Sequence, residues 1–277
     1  MGEQFSPSLK RLLEQLPPGA FVDSRWLTAH GVLRSSLAYY NRVGWLKRVA
    51  HGLYQRPETT SVSGLAADWR MLLLSTQALM GYRLHVGGMT ALREQGHSHD
   101  LSFGPRPVHV YGSPVPGWLR KLPTNDPLCF HPTLIFTEPS LCIGPDADTK
   151  TNEASSPWWK RSLRRSEPER AILEAIDELP EEESFSTIDH IFEGLVALRP
   201  RRLTAALEAC TSIKTKRLFF VFAERHAHAW MKHVERARVD LGTGDRSLVK
   251  GGKLHPVFRI TVPEELLASA QERHDGR

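Results

Sequence analysis

The chain has 277 residues, of which 40% are hydrophobic and 24% are charged, a composition that is ordinary for a globular protein and a length that suggests two domains. Its formal net charge of +5 and pI near 9.2 are mildly basic, which favours a nucleic-acid partner without establishing one. The three cysteines form no CxxC pair, which argues against a zinc ribbon, and neither a signal peptide nor a membrane span is predicted, so we expect a cytoplasmic protein.

The first 60 residues are predicted to form one module that begins with a helix over residues 8–16. Leu9, Leu12, Leu13 and Leu16 recur at the spacing of one helical face, and a Pro-Pro-Gly sequence ends the pattern. We expect this helix to cover the two that follow and to complete a small three-helix core.

A helix-turn-helix is predicted next. Asp23 and Ser24 can accept the free N–H groups of a short helix, and Gly31 is expected to end that helix. A turn of three residues follows, and Ser35 or Ser36 is expected to cap a second helix that runs to about residue 43. Two short strands over residues 45–49 and 53–56 would then form the hairpin of a winged helix-turn-helix.

The second helix of this motif has two faces at about 100° per residue. Leu33, Leu37 and Tyr40 fall on one side and are predicted to pack inward. Tyr39 and Arg42 fall on the opposite side, where an aromatic and a cationic side chain suit contacts to phosphates and base edges. Helices and hairpins of this kind also occur as packing modules, but the excess of cations after the second helix favours DNA.

The predicted DNA contacts fall into two groups. Four side chains are expected to face the major groove, namely Ser35, Ser36, Tyr39 and Arg42. Four others are expected to contact phosphates or the minor groove, namely Arg34, Lys47, Arg48 and His51.

Residues 61–277 are predicted to form a mixed α/β domain. A long helix is expected through about Gly81, followed by a strand over 83–86, a tight turn at Gly87-Gly88 and a helix over 89–95. An anion cradle at the Gly-Gly step is the less favoured alternative, since the lysine and spacing of a P-loop are missing. Short strands are expected over 107–111, 128–131 and 134–136.

The second half of this domain is predicted to be rich in helices. A capping box over residues 166–169 opens one helix, Thr187 opens another, Pro200 starts a third, and residues 214–233 suggest a long fourth helix. Strands over 246–249 and 257–262 would flank a Gly-Gly turn, and Pro263 would begin the last helix. The expected fold class is therefore α+β: an N-terminal winged helix-turn-helix over residues 1–60 and a mixed α/β domain over 61–277.

A second basic surface is predicted in this domain, because cations outnumber acids between residues 199 and 259. Its candidate members could approach a phosphate backbone, although a merely solvated surface is the alternative for each of them. They are Arg201, Arg202, Lys214, Lys216, Arg217, Lys250 and Lys253.

Three other kinds of chemistry are weighed against DNA binding. His97 with His99 and His226 with His228 suggest metal ligands, but residues two apart on a helix do not share a face. A nuclease would need paired carboxylates near a lysine, and the acidic residues Asp177, Glu178 and Asp245 form no convincing set. Trp158-Trp159 could mark a protein-binding patch or a packing edge. We therefore expect no catalytic residue, no metal and no cofactor.

The sequence resembles the AbiEi-type antitoxin and transcriptional regulator family of type IV toxin–antitoxin systems. The resemblance covers most of the chain. Its pieces include GVLRSSLAYYNRVGWLKRVAHGLYQR, HVGGMTALREQGHSHDL, ERAILEAIDELP, EGLVALRPRRLTAALEACTSIKTKRLFFVFAERHAHAW and DLGTGDRSLVKGGKLHPVFRITVPEEL. Each piece alone is weak, since winged helices are widespread, but their order is fairly specific.

This resemblance implies a non-enzymatic repressor that binds double-stranded DNA at inverted repeats upstream of its own operon. It also implies an antitoxin, acting in abortive infection by phage, whose partner is a nucleotidyltransferase-like toxin encoded beside it, without a stable complex being required. The C-terminal domain would supply the antitoxin function and could contact DNA through its basic surface. A protein-interaction module, or a nuclease-associated DNA-binding protein without an antitoxin role, is the alternative.

Overall fold

The computed structural model describes residues 12–13, 16–57, 66–97, 104–131, 135–144 and 162–271, with side chains up to residue 267. Helices and separate small sheets alternate within these ranges, which confirms the predicted α+β class. The chain divides into two compact units. The first unit comprises residues 1–85, 104–132 and 145–164, and the second comprises 86–103, 133–144 and 165–277.

The first unit begins with the predicted motif. It contains β1 (Phe21–Asp23), α1 (Ser24–Ala29), α2 (Arg34–Arg42), β2 (Lys47–Ala50) and β3 (Leu53–Gln55). The hairpin of β2 and β3 lies where it was predicted, whereas β1 was not predicted; β1 joins β3 in an antiparallel sheet of order β1-β3-β2. A buried cluster that includes Leu16, Leu27, Leu37 and Leu46 holds these elements together, and α3 (Trp69–Ala78) packs against it. Of the predicted first helix, only Leu12, Leu13 and Leu16 lie within the described residues.

The rest of the first unit supplies β5 (Val108–Tyr111) and β6 (Leu128–His131), which pair in parallel with Val108 opposite Leu128. The predicted bounds of β6 are those observed. The short β4 (His85–Val86) lies at the passage from the first unit to the second, where Val86 pairs in parallel with Arg165. The strand predicted over 134–136 is not observed among its described residues, and Phe136 forms only an isolated bridge with Cys210.

The second unit contains most of the described helices around one apolar core. Its elements in chain order are α4 (Gly88–Glu94), β7 (Ile143–Gly144), β8 (Arg165–Ser166), α5 (Pro168–Asp177), α6 (Phe185–Gly194), α7 (Pro200–Ala209), α8 (Ile213–His226), β9 (Lys253–Leu254), β10 (Thr261–Val262) and α9 (Glu264–Gln271). Helices α5 and α8 carry the inner layer, including Ile172, Ile176, Phe219 and Phe222, all of them fully buried. The prediction of a helix for the LFFVF segment is thus confirmed.

Several local predictions for this unit are wrong. Ser166 does not cap α5; it lies in β8 and its hydroxyl donates to the Glu174 carboxylate at 2.7 Å. The long helix predicted to residue 233 ends at His226, because Ala227 adopts a left-handed conformation with φ of 50°. The strand predicted over 246–249 is not observed, and Arg246 forms only an isolated bridge with Ile260. Of the strand predicted over 257–262 only β10 remains, and it pairs antiparallel with β9, which follows the glycine turn.

Candidate nucleic-acid interface

Helix α1 is positioned by the side chain of Asp23, as predicted. Its Oδ1 accepts a 2.7 Å hydrogen bond from the N–H of Trp26, which satisfies one of the free donors of the helix start. Gly31 follows the helix with φ of 81°, a conformation that a residue with a side chain rarely adopts, and the chain then turns toward α2. Gly31 thus ends the first helix as predicted, whereas Arg34, which was predicted to lie in the turn, is the first residue of α2.

Helix α2 buries one face and exposes the other. Leu37 and Tyr40 are buried in the core of the first unit, as predicted. Arg34, Ser35 and Arg42 are exposed on the solvent side, and Ser36 is half-buried. Tyr39 is 42% exposed, which is unusual for so large a side chain in this protein. The second helix thus presents a polar, cationic and aromatic surface.

Two predictions about the start of α2 are wrong. Neither serine caps the helix, because the helix already begins at Arg34, and Leu33 occupies the N-cap without any side-chain hydrogen bond. Leu33 also fails to pack inward and is 69% exposed. Its backbone is extended, with φ of −70° and ψ of 137°, so helical periodicity does not govern the direction of its side chain.

Arg42 and Tyr39 are next to each other on the exposed face. The guanidinium carbon of Arg42 lies 5.5 Å from the centre of the Tyr39 ring, within range of a cation–π interaction. The Tyr39 ring in turn meets Trp45 edge to face, with ring centres 5.7 Å apart. These contacts orient the cation at the end of α2.

The hairpin carries the remaining predicted contacts. Lys47 and Arg48 are exposed on β2, and His51 is exposed in the turn before Gly52. The Arg48 backbone N–H donates a 2.8 Å hydrogen bond to the side chain of Asn41 at the end of α2. The hairpin is therefore anchored to the second helix, and both present cations.

The segment that contains α1, α2 and the hairpin carries charged side chains of one sign only. Residues 24–56 contain six arginines and lysines and no aspartate or glutamate. In the described part of the chain, no carboxylate forms an ion pair with Arg34, Arg42, Lys47 or Arg48. These cations are available to a polyanion, and each phosphate contact they made would release counterions.

Two of the residues predicted for the second basic surface are not on the surface of the protein. Lys216 and Arg217 are buried, at 4% and 2% exposure, so neither is available to DNA. The Arg217 guanidinium instead donates to the carbonyls of Leu241, Gly244 and Arg259 at 2.7 to 2.8 Å. These two residues are therefore not retained in the proposed surface.

The other five candidates differ in how they are engaged. The Lys214 ammonium donates to carbonyls at the end of α5, which makes it a helix-capping group. Arg202 pairs with Glu167, and Lys253 pairs with Glu264. Arg201 and Lys250 are exposed, and within the described ranges neither has an acidic partner. Arg201 and Lys250 are thus the most available cations of this set.

Glu169 is an acidic residue of the second unit whose carboxylate is fully engaged in hydrogen bonds within the protein. It is buried, and it accepts hydrogen bonds from the Arg199 backbone N–H, Nε and Nη2 at 2.8 to 2.9 Å. Burial alone would raise the pKa of this carboxyl, but the hydrogen bonds from Arg199 outweigh it and hold the pKa below its ordinary value. The pair joins the first turn of α5 to the start of α7.

The candidate metal ligands have protein partners. Because α8 ends at His226, the rings of His226 and His228 do not diverge as predicted but stack 5.9 Å apart. His226 contacts the carboxylate of Asp189 at 2.7 Å, and His228 contacts the carbonyl of Phe192 at 2.6 Å. His97 is described, whereas His99 lies outside the described residues.

The acids considered for a nuclease have structural partners as well. Asp177 accepts from the hydroxyls of Ser212 and Thr215 at 2.9 and 2.7 Å, and Asp245 pairs with Arg259 at 2.6 Å. The carbonyl end of α5 and the start of α8 are thereby joined through Asp177. The Trp158-Trp159 patch lies outside the described residues.

Two models of one protein family match most of the chain. A family model described as the N-terminal domain of a transcriptional regulator, AbiEi antitoxin, matches residues 6–103. A second, described as a transcriptional regulator, AbiEi antitoxin, type IV TA system, matches residues 106–263. Both descriptions name a regulator, and neither names a catalytic activity. No curated protein matches the chain significantly.

The fold is also similar to a solved structure. The crystal structure of the RV2827C protein from Mycobacterium tuberculosis aligns with a TM-score of 0.56 and 15% identity, covering 100% of this chain and 97% of that one. At this identity the likeness concerns the fold alone. None of the helices in the described ranges is long and apolar enough to cross a bilayer.

Proposed function

Because the chain belongs to the AbiEi family of antitoxins and transcriptional regulators of type IV toxin–antitoxin systems, we propose that it represses its own operon. The operator would be inverted repeats in the double-stranded DNA upstream of its gene. Helix α2 would enter the major groove with Ser35, Ser36, Tyr39 and Arg42. Arg34, Lys47, Arg48 and His51 would contact phosphates or the minor groove.

One observation carries this proposal: the exposed cations of α2 and β2 lie on an acid-free segment with a helix-turn-helix and a hairpin in sequence. Phosphate contacts from such a surface provide affinity that depends on salt. The arginine and the hydroxyls on α2 are the side-chain types that pair with base edges. Together these groups support both affinity and sequence discrimination.

The test is a gel-shift titration with the DNA immediately upstream of the gene, at two salt concentrations, against a scrambled competitor. We expect binding that survives the competitor and weakens steeply as salt rises. Equal binding to both DNAs would contradict a sequence-specific repressor. Absence of binding would leave the motif without a DNA role.

Two variants separate the proposed roles. Arg42→Ala should reduce the free energy of operator binding by about 1–3 kcal/mol and relax specificity. Lys47→Ala should instead weaken binding to all DNA sequences alike and reduce the slope of log affinity against log salt concentration by about one. Lys232→Ala is a matched control, since it removes an exposed cation from the second unit. If both test variants behaved like this control, the assignment of α2 and β2 would be wrong.

We further propose that the chain neutralises a nucleotidyltransferase-like toxin encoded beside it, without a stable complex being required. The type IV description of the family supports this role. Co-expression with the neighbouring open reading frame should restore growth that the toxin alone arrests. Arg42→Ala should lose repression while still restoring growth when both genes are placed under foreign promoters. Loss of both properties together would show that the DNA-binding surface is itself needed for neutralisation, because the operator controls neither gene in that arrangement.

The second basic surface would add nonspecific DNA affinity through Arg201 and Lys250, with Arg202 and Lys253 beside acidic partners. The double substitution of Arg201 and Lys250 by alanine should weaken operator and scrambled DNA by the same factor. A loss confined to the operator would contradict a phosphate-contacting role.

A further inference from the structure

Leu33 is the most exposed of the large hydrophobic side chains in the described residues, at 69%. Val32, directly before it, is 3% exposed, and Leu37, one turn later, is 5% exposed. The apolar residues next to Leu33 in the chain are therefore buried, whereas the Leu33 side chain is exposed to solvent. Four large hydrophobic side chains are exposed in the part of the chain that the structure describes, and two of them, Leu33 and Tyr39, belong to α2 and its N-cap.

Leu33 also occupies a position at which leucine is unfavourable. It is the N-cap of α2, with extended backbone angles and no side-chain hydrogen bond to the first turn. A side-chain oxygen of serine, threonine, asparagine or aspartate could accept from an N–H group of the first turn, whereas leucine offers only its carbonyl, which accepts from the Ser36 N–H at 3.0 Å. Leucine at this position therefore lacks the stabilisation of a capping side chain and also exposes apolar surface. Breaks of local rules without compensation concentrate at functional sites.

We propose that Leu33 contacts the C5-methyl group of a thymine in the operator and so determines specificity at that base pair. The inference rests on the proposed DNA-binding function. Residues at the N-terminus of the second helix of a helix-turn-helix approach the base edges most closely. The thymine methyl is the apolar group that the major groove presents, and a leucine side chain matches it. Arg34, next in the chain, supplies the adjoining phosphate contact.

A second copy of this chain is a less suitable occupant of the Leu33 surface. A symmetric contact through Leu33 would bring Arg34 of both copies into the same interface, together with the cations of β2. Like charges would oppose this association. DNA, in contrast, is complementary to the charges that surround the leucine.

The experiment is uracil interference on the operator, with the protein and its Leu33→Ser variant. Random replacement of thymine by uracil removes only the C5-methyl group. For the unmodified protein, we expect uracil to weaken binding about fourfold at one position in each repeat, the effect of one buried methyl group. Leu33→Ser should abolish interference at that position alone, and it should raise the thermal midpoint because serine caps α2. Val196→Ala, which truncates another exposed side chain, should change neither property.

Three results would overturn the inference. An interference pattern that Leu33→Ser leaves unchanged would show that the leucine reads no methyl group. A lowered thermal midpoint would indicate a structural role for the leucine. A smaller mass of the free variant in sedimentation would indicate a protein–protein contact. If the unmodified protein bound no operator, the proposed repressor function would fail together with the inference. If it bound the operator but showed no uracil interference that depends on Leu33, the inference alone would fail.

Discussion

The phenol of Tyr82 donates a 2.8 Å hydrogen bond to Oδ2 of Asp23, whose Oδ1 caps the first helix of the helix-turn-helix. Asp23 is 5% exposed, and its backbone N–H meets the sulfur of Met80 at 3.2 Å. The residues that follow α3 therefore fix the carboxylate that orders α1. A residue outside the predicted module, 59 positions away from Asp23, thus contributes to its geometry.

Tyr82→Phe should lower the free energy of unfolding by about 1–3 kcal/mol, because it leaves a buried carboxylate oxygen without its donor. The measurement is urea unfolding at neutral pH, with fluorescence and circular dichroism compared. Tyr39→Phe is the control, since it removes a hydroxyl from an exposed tyrosine. Equal, near-zero effects in both variants would contradict a stabilising role for the Tyr82 contact.

The same hydrogen bond predicts a pH dependence. Burial, followed by the hydrogen bond to Asp23, raises the pKa of Tyr82 to about 12. Because the folded pKa lies above the ordinary value of 10.0, this contribution to stability is fully present below pH 10 and is lost as pH rises through 12. Between these values the unmodified protein should lose more stability than Tyr82→Phe. Parallel curves for the two proteins would refute the linkage.

Glu169→Gln should destabilise the second unit by about 1–3 kcal/mol at neutral pH, since it weakens three charge-assisted hydrogen bonds with Arg199. The folded pKa of Glu169 is depressed, so its contribution is present above the unfolded value near 4.5 and is lost as pH falls through the folded pKa. The stability difference between the two proteins should therefore shrink in acid. A difference that stayed constant down to pH 2 would count against this assignment. Glu193→Gln, an exposed acid on α6, is the control.

Arg217→Met should destabilise the protein by about 3 kcal/mol or more, because three carbonyls lose a buried charged donor. Lys250→Ala should change stability by less than about 0.5 kcal/mol, as is usual for an exposed side chain. Chemical unfolding of both variants checks the difference. If Arg217→Met instead left stability unchanged and weakened DNA binding, the guanidinium would be a surface contact after all.

Tyr39→Ala should weaken operator binding about two- to fivefold more than removal of the hydroxyl alone does, because it also removes the ring that orients Arg42. Tyr39→Phe keeps the ring and serves as the matched control. Binding measured in the Arg42→Ala background isolates the coupling, since Tyr39→Ala should add little there. Equal losses in both backgrounds would mean that the tyrosine acts independently of the arginine.

Much of the local structure could be predicted from the sequence. Pro200 begins α7 because proline fits the first turn of a helix, where its missing N–H is not needed. Asp23 caps α1 and Gly31 ends it, since both residues act through their own backbone and near neighbours. The same local rules were wrong at Ser166, whose hydroxyl is taken by Glu174 and is no longer available to cap α5.

The sequence by itself determined the family, through its resemblance to known members. It also determined the α+β class and the helix-turn-helix with its hairpin, because caps, turns and apolar periodicity act over a few residues. Only the tertiary structure decided which of its charged and apolar side chains face solvent. Arg217 is buried because carbonyls 24 to 42 residues away converge on it, and Leu33 is exposed because the chain enters α2 in an extended conformation. The burial of a side chain depends on groups that only the folded chain brings together, so it cannot be predicted from the number of charged or hydrophobic residues nearby in the sequence.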